Sequence, residues 1–448
     1  LHLSLRRQRQ MCIRDRCYGR PIFPGLTPNI DRMAREGVLF EHAFTPQPVC
    51  GPARSCLQTG RWATETGCFR NGIALPIDTA TVGALIRQAG YQVGYIGKWH
   101  LASTPEQGIN FETRPVPPER RGGYEDFWVA SDILEFTSHS YDGHLFDEEG
   151  RKVEFPNGRY RADFITDIAL EKLRSRDPEK PLFMFISYVE PHHQNDHGHF
   201  EGPIGSKKRF ASYNVPGDLE GRAGDWAWEL PDYLGAVNSL DSNVGRIRAE
   251  LDDLGMGDET VVIYTSDHGC HFRTRNAEYK RSCHESSIRV PLVAIGPGLE
   301  GGTRIKQLVS LIDLPPTFLE LSGVEVPRFM RGKSLLPLVT GQAEGWRPEV
   351  FVQISESQVG RSVRTQRWKY SVRSPTGDGY RDISSDIYVE EYLYDLQEDP
   401  YERRNLVSDP SYEDVRAYLS ERLKTRIVQA GEKRPLIKPA PTCTRSGP

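Results

Sequence analysis

Cys50 opens the run Cys50-Gly-Pro-Ala-Arg-Ser-Cys-Leu-Gln-Thr-Gly-Arg61, and it is placed like a nucleophile at the start of a short helix. Pro52 suits a first-turn position, where its missing N–H costs nothing. Ala53 to Gln58 can carry the helix on, and Gly60 can stop it in a left-handed C-cap. Cys50 then sits beside free N–H groups and the positive dipole end, with Arg54 one turn further along. Such a place lowers a thiol pKa and holds an anion. A bare Cys-x-Pro is more simply a buried cysteine on a Pro-started helix, so other residues must carry the case.

Three polar clusters supply candidates: Gly97-Lys98-Trp99-His100-Leu101, Glu190-Pro191-His192-His193 and Ser266-Asp267-His268-Gly269. Each also has a plainer reading. Lys98 and His100 could flank a packed Trp99 at the surface. His192, His193, His197 and His199 could form an adventitious metal-binding loop. Asp267-His268-Gly269 could be an Asx-type turn.

The elements that must position these residues read as follows. Helices are expected over 29–36, 79–89, 162–174, 233–254 and 317–321. Short apolar strands are expected over 38–44, 91–96, 182–189, 260–265, 290–295 and 307–309. This alternation predicts an α/β fold, a mostly parallel sheet sandwiched by helices. All three clusters follow predicted strands, and open parallel sheets bind ligands at the carboxyl ends of their strands. Residues 103–160 and 191–228 read as long irregular loops, with a turn at Asp147-Glu148-Glu149-Gly150. After Gly341 the pattern changes to short strands (350–354, 362–365, 368–372, 392–396) and a closing helix, 412–428. The expected division is a catalytic domain, 17–341, and a small antiparallel α+β subdomain, 342–448.

At 448 residues, 38% hydrophobic and 26% charged, the chain is long and apolar enough for a folded protein of this kind. A formal net charge of −4 argues against nucleic acid as the main partner. No apolar run is long enough for a membrane span. Eight cysteines in a chain this long make no disulfide framework, and no paired Cys-x-x-Cys suggests structural zinc. Leu1 to Arg16, with its Arg6-Arg7-Gln8-Arg9 run and no signal-peptide core, reads as a segment foreign to the fold.

Cys50-x-Pro52-x-Arg54, with Leu57 and Thr59-Gly60-Arg61, resembles the signature of the type I sulfatases of the alkaline phosphatase superfamily. The resemblance extends from Cys17 to Leu406. Gly97-Lys98-Trp99-His100-Leu101 is similar to the family's second signature, and Pro191-His192 to its Pro-His-x-Pro element, with Gln194 in place of the last Pro. Thr265-Ser266-Asp267-His268-Gly269 resembles its metal-binding element. Lys280, leading into Arg289-Val290-Pro291-Leu292, resembles its second sulfate-binding lysine.

The resemblance implies that a maturation enzyme oxidises Cys50 to formylglycine, whose hydrate attacks sulfur. Lys98 and Lys280 would bind sulfate, with Arg54 adding positive charge; His100 would assist release and His192 would protonate the leaving alcohol. Asp267, His268 and residue 50 would hold one Ca2+. Members of the family also carry two adjacent aspartates on a first strand, and the arginine-rich segment occupies that place here. Weak metal binding is therefore expected. The substrate expected is a sulfated small molecule or polysaccharide, with a carbohydrate favoured by the two long loops rich in Tyr, Trp, His, Arg and Asp. The alternatives are a phosphonate or phosphodiester hydrolase, and a non-catalytic binding protein on the same fold. The family resemblance favours a periplasmic or secreted setting.

Overall fold

The computed structural model describes residues 2–7, 16–18 and 22–440. In chain order the catalytic region contains β1 (His2–Arg7), α1 (Pro28–Glu36), β2 (Val38–Phe44), α2 (Cys50–Thr59), α3 (Val82–Gln88) and β3 (Gln92–Lys98). There follow β4 (Phe127–Ser131), α4 (Leu134–Thr137), β5 (His144–Phe146), β6 (Lys152–Glu154), α5 (Arg161–Arg174) and β7 (Leu182–Ser187). The region closes with α6 (Trp226–Asp253), β8 (Val261–Ser266), β9 (Leu292–Ile295), β10 (Thr303–Ser310) and α7 (Leu314–Leu321).

One sheet runs β2-β9-β8-β1-β7-β3-β4-β5-β6, with Arg289–Val290 and β10 also paired to β2. Its centre, from β8 through β1, β7 and β3 to β4, is parallel; β9, β5 and β6 pair antiparallel towards the edges. Period-two alternation explains why central strands read as unbroken apolar runs. In β7, Phe183 and Phe185 join Tyr95, Trp99 and Trp128 on one face. Leu182, Met184 and Ile186 join Ile96, Ile165 and Leu240 on the other. Both faces are buried under helices, so neither needs polar residues.

Three sequence expectations need correction. The stretch 103–160 is not wholly irregular: besides the turn expected at 147–150, which is the tip of the β5–β6 hairpin, it contributes β4 and α4. The helix expected from Tyr233 begins at Trp226 and runs through Pro231. The amino-terminal segment does not stand wholly outside the fold, because His2–Arg7 occupies the centre of the sheet between β7 and β8. Leu3 and Leu5 alternate with polar neighbours, a strand pattern overshadowed in the sequence by the arginines that follow. Arg6 lies level with Thr265 and Ser187, and Arg7 with Ser266. Asp15, the one acid among residues 1–16, lies outside the described residues.

The carboxy-terminal region forms a separate five-stranded sheet from β11 (Glu349–Ile354), β12 (Gly360–Thr365), β13 (Trp368–Arg373), β14 (Ile387–Asp395) and β15 (Leu436–Lys438). The last strand pairs in parallel with β14 and was not anticipated. The closing helix α8 (Glu413–Gln429) buries Leu419, Leu423 and Ile427, spaced four apart, against this sheet.

Candidate active site

Helix α2 begins at Cys50 and is buried along its whole length. Gly60 ends it at φ 65°, the left-handed C-cap that the sequence predicts. Asn71 Oδ1 accepts the Gly51 N–H at 2.9 Å, satisfying one donor that the first turn leaves open. Arg54, one turn along, ties the helix to the sheet. Its Nη1 donates to the Lys98 carbonyl at 2.6 Å and Ser187 Oγ at 2.7 Å, and its Nε lies 3.5 Å from Asp267 Oδ2. Its charge lies between β3 and Asp267 at the edge of the site.

The three strand-end clusters meet at Cys50. Lys280 Nζ donates to Cys50 Sγ at 2.8 Å, while His268 Nε2 lies 3.3 Å and His192 Nε2 4.0 Å from the sulfur. Lys98 ends β3 after Gly97, whose φ of 104° and close approach exclude a side chain: a Cβ there would lie 2.0 Å from the Ser187 carbonyl oxygen. Lys98 is fully buried and ion-paired with Glu135. His100 is held at φ 61°. Burial pushes the Cys50 thiol up, but Lys280, Lys98, His268 and His100 outweigh it and hold the group well below the ordinary thiol range.

Glu135, on α4, was not singled out from the sequence. Its Oε1 pairs with Lys98 and lies 3.5 Å from His192 Nε2. Burial raises its pKa, yet Lys98, His192 and His100 together keep it well below the usual carboxylate range. It therefore stays charged beside the proposed acid. Gln194, where the family motif has proline, donates to the Glu135 carbonyl at 3.1 Å. The only sequence signal for Glu135 was an acid inside a stretch read as loop.

Cys50, Asp267 and His268 offer donor atoms within 4.8 Å of one another. His268 Nδ1–H donates to the Gly269 carbonyl at 2.9 Å, so Nε2 presents its lone pair to this space. Asp267 Oδ2 is buried and accepts no hydrogen bond, though it faces Arg54 Nε at 3.5 Å. The three groups fit one divalent cation. A single carboxylate falls short of the six to eight oxygens that calcium prefers. His100 Nδ1 and Glu135 Oε2 are likewise buried without a hydrogen-bond partner. Together these atoms mark a polar pocket that a ligand would complete.

Residues 13–324 match the family model described as Sulfatase, and residues 277–429 match N-sulphoglucosamine sulphohydrolase, C-terminal. The chain belongs to the sulfatase family, in the alkaline phosphatase superfamily, and is by class a sulfuric ester hydrolase. It is 27% identical to an N-acetylglucosamine-6-O-sulfatase of Bacteroides thetaiotaomicron, over 88% of this chain and 80% of that protein. It is also 27% identical to a multifunctional alkaline phosphatase superfamily protein of Trinickia caryophylli, over 90% of each chain. A solved structure in complex with its substrate D-glucosamine-2-N,6-O-disulfate shares the fold at a TM-score of 0.76 and 23% identity, covering 96% of this chain and 97% of that one.

Proposed function

We propose that the protein hydrolyses a sulfate ester of a carbohydrate, with residue 50 matured to formylglycine. The observation that carries this reading is the convergence of Lys98, Lys280, His192, Asp267 and His268 on Cys50 from separate strand ends. The relative that acts on N-acetylglucosamine 6-O-sulfate supports the carbohydrate. Hydrated formylglycine supplies a hydroxyl nucleophile and a second hydroxyl that permits release of sulfate. Asp267, His268 and residue 50 would hold one divalent cation, calcium by family resemblance, which adds positive charge beside the sulfuryl oxygens.

The chain's own groups do the rest. Lys98 and Lys280 bind the charged sulfuryl oxygens and hold the ester against residue 50, while the developing charge falls on the leaving oxygen. His192 is set for proton donation: Nδ1–H is held by the His193 carbonyl, and protonated Nε2 faces Glu135, which stabilises the imidazolium. As the sugar oxygen leaves sulfur it takes that proton. His100 then accepts the proton of the second hydroxyl as sulfate departs.

A second reading is phosphonate monoester or phosphodiester hydrolysis, favoured by the similarity to the multifunctional relative. The test is to co-express the chain with a formylglycine-generating enzyme and confirm an aldehyde at position 50 by peptide mass spectrometry. Turnover is then compared on N-acetylglucosamine 6-sulfate, an aryl sulfate and an aryl phosphonate. Preference for the sulfates is expected. Phosphonate turnover above sulfate turnover would replace this reading with the second, and sulfate turnover with an unmodified thiol would remove the formylglycine mechanism.

A further inference from the structure

Beyond the catalytic pocket, three imidazoles and three carboxylates from two chain segments collect at one place. His139 and Asp142 follow α4; Asp196, His197, His199 and Glu201 belong to the turn and return strand of the small hairpin that follows His192. His139 Nε2 contacts Asp196 Oδ2 at 2.8 Å, and its Nδ1 contacts Asp142 Oδ1 at 3.0 Å. The His139 and His197 rings stack with centroids 4.3 Å apart. His197 Nδ1 pairs with Glu201, whose Oε1 also lies 4.0 Å from His199 Nε2. Two overlapping groups, His139–Asp196–His197 and His197–His199–Glu201, each keep their donor atoms within 4.8 Å.

We propose that this cluster binds a zinc-class transition-metal cation, with His139, Asp196 and His197 as the first donors and Glu201 or His199 completing the shell. Imidazole and carboxylate without thiolate suit zinc, copper or nickel, whereas one or two carboxylates are too few for calcium. Two donors at about 2.1 Å from a tetrahedral zinc stand about 3.4 Å apart, so donors that now lie within 4.8 Å need close by no more than about 1.4 Å. The side chains of His139, Asp196 and His197 are 37–57% exposed, so they are free to turn and open to an ion. The His139–His197 stack opens as the two lone pairs converge.

The consequence is a clamp. Gln194 Nε2 donates both to Asp196 Oδ1 at 2.8 Å and to the Glu135 carbonyl at 3.1 Å. A cation bridging His139 to Asp196 and His197 therefore pins the segment after Glu135 to the hairpin after His192.

The experiment is calorimetric titration of zinc chloride into chelator-treated protein. It uses the native chain, a Cys50→Ala variant that removes the sulfur from the catalytic pocket, and His139→Ala/His197→Ala made in that Cys50→Ala background. One zinc should bind the Cys50→Ala protein, any further zinc on the native chain being held at residue 50, and affinity should fall at least ~10-fold in the double variant. Zinc should also slow amide exchange over residues 193–201 in the Cys50→Ala protein, a readout that does not depend on the double variant folding. Zinc binding lost in Cys50→Ala, binding unchanged in the double variant, or exchange unaltered by zinc would each overturn the proposal.

Discussion

Two lysines are completely buried beside carboxylates, one in each region, and their surroundings differ in charge balance. Lys369, under the carboxy-terminal sheet, meets Glu285 at 2.8 Å and Glu402 at 2.5 Å. Burial lowers its pKa, but the two carboxylates outweigh that and raise it. Lys98 has Glu135 and the Cys50 sulfur as counter-charges and Arg54 as a like charge; there burial prevails and its pKa is lowered. Lys369 is saturated with negative charge and serves as structure. Lys98 stands beside Cys50, where an anion bound in the pocket would meet its charge. The lesson is that the groups around a buried lysine, rather than burial itself, set its electrostatic character.

The sharpest way to break this comparison is to remove each lysine. Lys369→Met should leave Glu285 and Glu402 facing each other without their cation and destabilise the protein by about 3–5 kcal/mol, read as a large fall in Tm. Lys98→Met should lower kcat/KM for a sulfate ester by about 10²–10³-fold with a smaller loss of Tm, since His192 can still balance Glu135. Equal Tm losses in the two variants would erase the distinction.

Glu135→Gln tests the partner from the other side. It should reduce kcat by about 10-fold or more, more strongly for esters with poor leaving alcohols, because protonated His192 loses its support. An unchanged dependence on leaving group would dissociate Glu135 from His192.

Two imidazoles form a third contrast. Burial lowers both half-buried His42, where Arg289 and Arg364 add to it, and fully buried His271 to about 4. Below their ordinary value near 6.5 the unfolded chain takes up protons that the folded chain does not, so stability should decline as pH falls from 6.5 towards 4. Thermal melts across that range check the sign, and His271→Asn should flatten the curve. The smallest effect expected is from Asn71→Ala, which removes the acceptor for the Gly51 N–H. It should cost about 1 kcal/mol in thermal stability.

Much of the site was legible because it follows rules with short reach. The Pro-started, Gly-capped helix at Cys50 is local chemistry, and Lys98, His192, Asp267 and His268 announce themselves by following apolar strands. Glu135 was hidden because β4 and α4 lie in a stretch crowded with Pro and Gly, where periodicity fails. Arg54 was read as added positive charge; that its Nη1 would tie α2 to β3 and Ser187 was not legible, because tertiary packing decides it. The start of α6 was misplaced because Pro231 suggested a boundary that the long helix tolerates. β1 escaped notice since its partners, β7 and β8, lie far along the chain.

That last placement bears on how the molecule assembles. β1 pairs with β7 on one side and β8 on the other, so residues 2–7 join partners at 182–187 and 261–266. Among the described residues, no hydrogen-bonded strand pair links β7 directly to β8. The two halves of the sheet therefore meet there through β1, whose second partner comes about 260 residues later in the chain. On the ribosome, β1, β3, β4 and β7 can pair while the place for β8 stands open. Closure of the sheet is then a late, long-range event, and the pocket between β3 and β8 is complete only after it.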